Sequence, residues 1–412
     1  MSSEIHKGRI DGARLSGNLE RLACFGRSAS GGIHRSAFSE ADRQAKDWLT
    51  GKMLEAGLRC RRDAADNLWG RLDGQGPAVL AGSHLDVVPD GGMFDGAVGV
   101  LAALECLQAV REQALPHRRP LEAVAFCDEE GAYLSLMGSR AVAGDLSPAE
   151  LATGRNMTGI SLQDAMAAVG LDIANIDQAR RDPGDLHAYL ELHIEQGPRL
   201  EESNIPIGIV QSIVGIISCW VTFTGEANHA GTTPMARRRD ALLGAAEFAL
   251  QVTAWVRDHS NAVVTCGNLE AKPGAFNIVP GKVRLALEFR DTRPENLETI
   301  NSKVLEIGQE IARTRQLTFE LQRASSEAPV CLSRAVIETI RSEAEALGYT
   351  YQMMDSGAGH DAQILAPHVQ AGMIFIPSRA GKSHCPEEFS SRQAVEQGAQ
   401  LLLNSLLHLA NQ

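Results

Sequence analysis

The stretch GSHLDVVPDGGMFDGAVG (82–99) sets a histidine and an aspartate two apart at the close of an apolar run, and a second aspartate before a glycine and a helix start. In an extended chain His84 and Asp86 share a face, because side chains alternate with period two. His84 can then bind a metal while Asp86 holds its other ring nitrogen, and Asp95, in a glycine-flanked loop, offers a carboxylate able to bridge two cations. The same residues also suit a strand-end histidine with helix-capping aspartates. FCDEEG (126–131) places three acids in a row after an apolar run, and Glu129 and Glu130 can serve one site only if the strand has ended and Gly131 turns the chain. One glutamate can then ligate a metal while its neighbour acts as general base on a water whose pKa the cation lowers; without a metal the cluster is a solvated loop. In LELHIEQG (190–197), Glu191, His193 and Glu195 share one face and Leu192 and Ile194 the other, which also fits a hydrogen-bonded core histidine. SRAGKSHCPEE (378–388) is a polar loop that offers His384. Together these make a mixed nitrogen and oxygen donor set without thiolate, which suits Zn²⁺, Mn²⁺, Co²⁺ or Ni²⁺ better than Mg²⁺ or Ca²⁺.

Such residues must be positioned by the elements that precede them. PAVLAGSHLDVV (77–88), GVLAALECLQAVR (99–111), LEAVAFCDEE (121–130) and AYLELHIEQ (188–196) alternate short β-rich runs with a helical pattern. That order predicts an α/β layer with a largely parallel mixed sheet flanked by helices, and ligands gather beyond the carboxyl ends of such strands. From about residue 213 the pattern becomes strand (IISCWVTFTGE), helix (DALLGAAEFALQVTAWVRD), strand (AVVTCGNLEA), strand (KVRLALEFRDT), helix (PENLETINSKVLEIGQEIARTR) and strand (LTFELQR). This β-α-β-β-α-β order predicts an inserted ferredoxin-like α+β domain over 213–328, so the catalytic domain is discontinuous, 1–212 and 329–412. After it, a helix (SRAVIETIRSEAEALG), a Gly-rich turn (DSGAGHDAQ), a strand (GMIFIPS) and a C-terminal amphipathic helix return to the earlier order.

With 412 residues the chain exceeds the size at which one hydrophobic core keeps growing, which also predicts two domains. Its 39 basic and 51 acidic side chains give a net charge of −12 with no long Lys/Arg run, which argues against nucleic acid and anionic membranes as partners. The N-terminal residues MSSEIHKGRIDGARLSGNLE hold no signal-like apolar stretch and nowhere is there a spanning-length apolar run, so a cytoplasmic protein is expected. The 8 cysteines form no CxxC pair and read as buried thiols, not disulfides.

The motifs GSHLDVVPDGGMFDG, DEEG with GSRA, ELHIEQGPRLE, GIVQSIVG, NHAGTTPM, NIVPGKV, SGAGHDAQ and MIFIPS with SH occur in this order. From about residue 20 to its end the chain thereby resembles the dinuclear-metal aminoacylase and carboxypeptidase superfamily. Within it, the similarity is to the amidase/hydantoinase-carbamoylase branch of N-carbamoyl-L-amino acid hydrolases, allantoate amidohydrolases and β-ureidopropionases. The resemblance implies two divalent ions per subunit, Zn²⁺ foremost, one on His84, Asp95 and His193 and the other on Asp95, Glu130 and His384. It implies Glu129 as general base, His229, Asn277 and Arg290 as residues that close over the substrate, and Gln196 and Gly359 as substrate contacts. It further implies that the inserted domain is a lid and dimerisation domain, with His229 and Asn277 offered to the partner subunit of a homodimer. The activity implied is hydrolysis of the carbamoyl or ureido C–N bond of a small carboxylate-bearing substrate, an N-carbamoyl-L-amino acid first and allantoate second, with β-ureidopropionase, aminoacylase or dipeptidase activity as further alternatives. A metal-binding regulatory protein on the same fold is the non-enzyme alternative. One departure bears on substrate choice: where relatives continue DEEG with Ser or Thr and then Arg-Phe, this chain has Ala132, Tyr133 and Leu134.

Overall fold

A computed structural model of the chain describes residues 8–412. The reading of a leader-free N-terminus rests partly on residues 1–7, which lie outside the described residues. Among the described residues no helix is long and apolar enough to cross a membrane.

The apolar runs assemble into a mixed sheet of nine strands among the described residues. Across its middle lie Gln370–Ile376, Leu186–Ile194, Ala78–His84 and Leu121–Phe126, all parallel. Leu68–Leu72 and Arg59–Arg62 extend one side antiparallel, and Ile207–Ile213 pairs antiparallel on the other. Every residue of Ala78–His84 and of Leu121–Phe126 is buried, as parallel strands covered on both faces require. The helix Ala97–Glu112 is apolar nearly all round because it packs on Ala78–His84 with one side and on the C-terminal helix Arg392–Ala410 with another. Gly12–Leu22 closes this layer through Leu15, Leu19 and Leu22, one stripe at helical spacing. Four parallel strands point their carboxyl ends the same way. His84 ends one, His193 is the penultimate residue of another, the acidic run follows Phe126, and the His384 loop follows Ile376.

The helix Glu40–Glu55 packs over Arg59–Arg62 and Leu68–Leu72, with Ser39 accepting the Asp42 N–H as its N-cap. It carries a buried ammonium. Lys46 Nζ lies 3.0 Å from Asp42 Oδ2, 2.6 Å from Asp66 Oδ2 and 3.3 Å from Cys127 Sγ. Burial disfavours this charge, but Asp42 and the neighbours around it hold the ammonium well above its ordinary pKa.

The chain divides into two compact units, residues up to Gln211 together with Cys331–Gln412, and Ser212–Val330. The second contains a four-stranded antiparallel sheet ordered Val263–Lys272, Lys282–Asp291, Gly215–Thr224, Thr318–Glu327. Gly215–Thr224 alternates buried and half-buried residues, and the helices Ala241–His259 and Pro294–Arg315 cover its inner face around Phe223, Phe248 and Phe289. Asp240 caps the first of these helices by accepting the Leu242 and Leu243 N–H groups.

All eight cysteines are free thiols, but Cys24, Cys266 and Cys331 are exposed, which corrects the expectation of burial throughout. Cys266 lies on the outer strand Val263–Lys272, an edge that no further strand covers among the described residues, so its apolar sequence does not translate into burial.

Candidate metal centre

At the carboxyl ends of the parallel strands, Asp95 is the buried centre of a ring of donors. Its Oδ1 lies 3.1 Å from His193 Nε2 and 3.6 Å from His84 Nε2, and its Oδ2 lies 3.3 Å from His384 Nε2. Glu129 Oε2 stands 3.6 Å from His84 Nε2, and Glu130 Oε2 stands 3.7 Å from His384 Nε2. The donor atoms of His84, Asp95 and His193 fall within 4.8 Å of one another, as do those of Asp95, Glu130 and His384 and those of His84, Glu129 and Glu130. Two donor sets thus share Asp95, one oxygen facing each.

The rings are aimed from behind. His193 Nδ1 donates to the Ile194 carbonyl at 2.9 Å and His84 Nδ1 to the Asp86 carbonyl at 3.0 Å, which turns each Nε2 toward Asp95; the Gly96 N–H also lies 3.3 Å from His193 Nε2. For His84 this differs from the expectation that the Asp86 side chain holds the ring: the nearest carboxylate oxygen is 3.8 Å away. The strand ends at His84, so the period-two alternation that would put both side chains on one face stops before Asp86. The Asp86 carboxylate instead accepts the backbone N–H groups of Glu129 (3.3 Å) and Glu130 (3.1 Å). It braces the acidic loop.

That loop turns as the paired acids require. The strand stops at Phe126, Asp128 and Gly131 both take positive φ (58° and 72°), and Asp128 Oδ2 accepts the N–H groups of Tyr133 (3.0 Å) and Leu134 (2.8 Å). Gly96 serves the other side. At φ 62° it starts the helix Ala97–Glu112, and a Cβ there would fall 2.4 Å from His84 Nε2.

Electrostatics follow from this crowding. Burial opposes ionisation of Asp95, yet His193, His384 and His84 together hold its carboxyl well below the usual range. Burial pushes Glu129 well above the ordinary carboxylate value against the pull of His84, and burial with the neighbouring Asp95 charge raises Glu130 to about 7. The bond to Asp95 raises His384 to about 9. Glu130 Oε1 and Gln196 Oε1 are buried without a hydrogen-bond partner. Orphaned oxygens beside imidazole nitrogens are what a divalent cation would satisfy, so the residues fit the metal.

Gln196 completes the wall of this centre, its Nε2 donating to Asp95 Oδ2 at 2.7 Å. Glu191, on the strand of His193, and Glu195, just past its end, are engaged elsewhere. Glu191 accepts Ser83 Oγ (2.7 Å) and the Ala362 N–H (2.9 Å), while Glu195 accepts the N–H groups of Arg199 (2.9 Å) and Leu200 (2.8 Å). Gly359 lies in the half-buried turn before His360. His360 itself is buried, bonded to Ser356 Oγ at 2.8 Å, with its ring centroid 4.6 Å from that of His193. The sequence reading did not single out His360; its only signal is its place after the glycine-rich turn, ahead of Asp361.

The second unit holds the remaining residues. His229 and Ile278 pair in a short antiparallel bridge, and the Ala230 N–H reaches the Asn277 carbonyl at 2.9 Å, so His229 and Asn277 stand side by side on exposed loops. His229 Nδ1 accepts the Gly231 (3.1 Å) and Thr232 (3.2 Å) N–H groups, which leaves Nε2 free of local bonds. Arg290 pairs through Nη2 with Glu288 at 2.7 Å.

Residues 80–408 match the family model for peptidase family M20/M25/M40. Over 408 residues the chain is 42% identical to an N-carbamoyl-L-amino acid amidohydrolase of Geobacillus stearothermophilus, covering 97% of this chain and 99% of that protein. An allantoate amidohydrolase of Bacillus subtilis is 34% identical over 95% of this chain and 96% of its own length. Among solved structures, an amidase of the hydantoinase/carbamoylase family from Burkholderia multivorans superimposes with a TM-score of 0.89 at 32% identity, covering 98% of this chain and 99% of that one.

Proposed function

The chain belongs to peptidase family M20/M25/M40, and from that premise we propose that it hydrolyses the carbamoyl C–N bond of N-carbamoyl-L-amino acids. The reaction takes one water and yields the amino acid and carbamate, which breaks down to CO₂ and ammonia. The observation that carries the substrate class is the 42% identity, over almost the full length, to a relative named for that activity. Divalent metal binding fits the family and the donor sets. Two ions per subunit would be held, one by His84, Asp95 and His193 and one by Asp95, Glu130 and His384, with Zn²⁺ the first choice and Mn²⁺, Co²⁺ or Ni²⁺ served by the same donors. When bound, such ions lower the pKa of water and polarise a carbonyl oxygen.

In this reading Glu129 takes the proton of the attacking water and returns it to the departing nitrogen. Asp86 fixes the backbone of Glu129 by accepting its N–H at 3.3 Å. Gln196 keeps the shared carboxylate oriented and meets substrate with its unpartnered Oε1. Arg290 anchors the substrate carboxylate with its planar fork, His229 stabilises the developing oxyanion, and Asn277 and Gly359 contact substrate. The 34% identity to an allantoate amidohydrolase supports allantoate as the second substrate reading.

The test is to assay the purified protein, with Zn²⁺, Mn²⁺ or Co²⁺ added, for ammonia release from N-carbamoyl-L-amino acids, allantoate, N-carbamoyl-β-alanine and a decarboxylated carbamoyl analogue. Turnover is expected to be highest on an N-carbamoyl-L-amino acid and to fall steeply on the decarboxylated analogue. Higher turnover of allantoate moves the assignment to that reaction, and equal turnover of the decarboxylated analogue removes the anchor role of Arg290.

A further inference from the structure

Glu388 closes the SRAGKSHCPEE run, four residues after His384, and is 5% exposed. It reaches back across 293 positions to the Asp95 loop. Its Oε1 accepts the backbone N–H groups of Phe94 at 2.8 Å and Asp95 at 3.1 Å. Its Oε2 lies 2.8 Å from Ser383 Oγ, which in turn lies 2.8 Å from Asp95 Oδ2. One side chain thus grips the main chain of the Asp95 loop and, through the residue before His384, the carboxylate of Asp95 itself.

Both ends of this grip are anchored. The segment around Glu388 is tied to the end of the strand Gln370–Ile376, the Arg379 N–H bonding the Phe389 carbonyl at 2.9 Å and Ser390 Oγ the Pro377 carbonyl at 2.9 Å. The opposite wall is made for the carboxyl: a Cβ at the buried Gly92 would lie 2.2 Å from Glu388 Oε1 and 2.4 Å from its Cβ.

From this geometry we propose that Glu388 is a positioning residue that clamps the Asp95 loop to the His384 loop and so holds the shared carboxylate and His384 in ligating register. The proposal rests on Asp95 and His384 being metal ligands. Removing the clamp leaves every donor in place but frees the two loops to move independently, and loss of such supporting hydrogen bonds commonly weakens metal binding by about 10–100-fold. Gly92→Ala reaches the same end without touching the carboxyl, by occupying the space that admits it. Glu388→Gln keeps a carbonyl for the two N–H groups, and its amide N–H can donate to Ser383 Oγ, whose single proton then goes to Asp95 Oδ2, so it keeps the clamp.

The test is calorimetric titration of the chelator-treated full-length protein with Zn²⁺, with thermal melts to establish that each variant is folded. Glu388→Ala and Gly92→Ala are expected to bind about 10–100-fold more weakly than wild type, with Glu388→Gln close to wild type. Asp95→Asn is the ligand control. If Asp95→Asn loses affinity while folded Glu388→Ala and Gly92→Ala bind as wild type, the clamp is wrong and the ligand assignment stands. If Asp95→Asn itself binds as wild type, both are overturned. A folded Glu388→Gln as weak as Glu388→Ala also overturns the clamp, because hydrogen-bond geometry would then not be what matters.

Discussion

Glu129 and Glu130 are adjacent residues of the same type, and the geometry separates them. Glu130 Oε2 faces His384 and its Oε1 has no hydrogen-bond partner, whereas Glu129 Oε2 faces His84. Glu129→Gln is therefore expected to abolish turnover, by at least about 10²–10⁴-fold for loss of a general base, while keeping near-wild-type metal content. Glu130→Gln should lose metal. Elemental analysis of both variants beside their rates checks this, and retention of both metals by Glu130→Gln with loss by Glu129→Gln would exchange the roles. At this scale the sequence shows which residue types cluster, but not which atom of each is used. Asp86 stands two residues from His84, yet its carboxylate turns to the backbone of the acidic loop because the strand has already ended.

The elements behind the site are held by groups that do no chemistry themselves. Lys46 projects from the helix Glu40–Glu55 into a buried pocket formed by Asp42, Asp66 and Cys127, next to the residue that begins the DEEG loop. Lys46→Met leaves Asp42 and Asp66 buried without their cation, and breaking a buried pair in this way costs about 3–5 kcal/mol. Denaturant unfolding should register that loss; a change below about 1 kcal/mol would show that the cluster relaxes or hydrates. The strand and helix patterns of 77–130 and 188–196 are legible because they are long, apolar and punctuated by glycine. Helix Glu40–Glu55 carries no such pattern because its buried face includes Asp42 and Lys46, which no hydrophobic periodicity records. The short helices between Met137 and Ala168 were missed for a related reason, since each spans about two turns or fewer and is defined by caps such as Ser147 and Ser161 more than by a stripe.

At the scale of the whole molecule, we propose that the active form is a dimer joined through the 213–328 segment, each site borrowing His229 and Asn277 from its partner. The support is that both residues are exposed on neighbouring loops of the second compact unit and that His229 Nε2 has no local bond. The competing account is a local role, since His229 Nδ1 already orders its own turn. Mixing inactive His229→Ala with inactive Glu129→Gln under subunit exchange separates the two. Equal amounts should make about half the dimers mixed, each with one competent site of two, and so return roughly a quarter of wild-type activity. No recovery despite demonstrated exchange would place His229 within its own chain's site or outside catalysis.

By itself the sequence determined the donor inventory, the alternation of strand and helix that brings donors to strand ends, and the membership that the full-length relatives show. These are properties of residue type, order and spacing, which a linear chain carries openly. Only the tertiary structure decided that Asp95 turns one oxygen to His84 and His193 and the other to His384, that Glu191 and Glu195 serve the backbone instead, and that Glu388 closes on the Asp95 loop. Those outcomes depend on contacts between residues distant in sequence and on where each strand ends. A hydrogen bond across 293 positions leaves no trace in local periodicity.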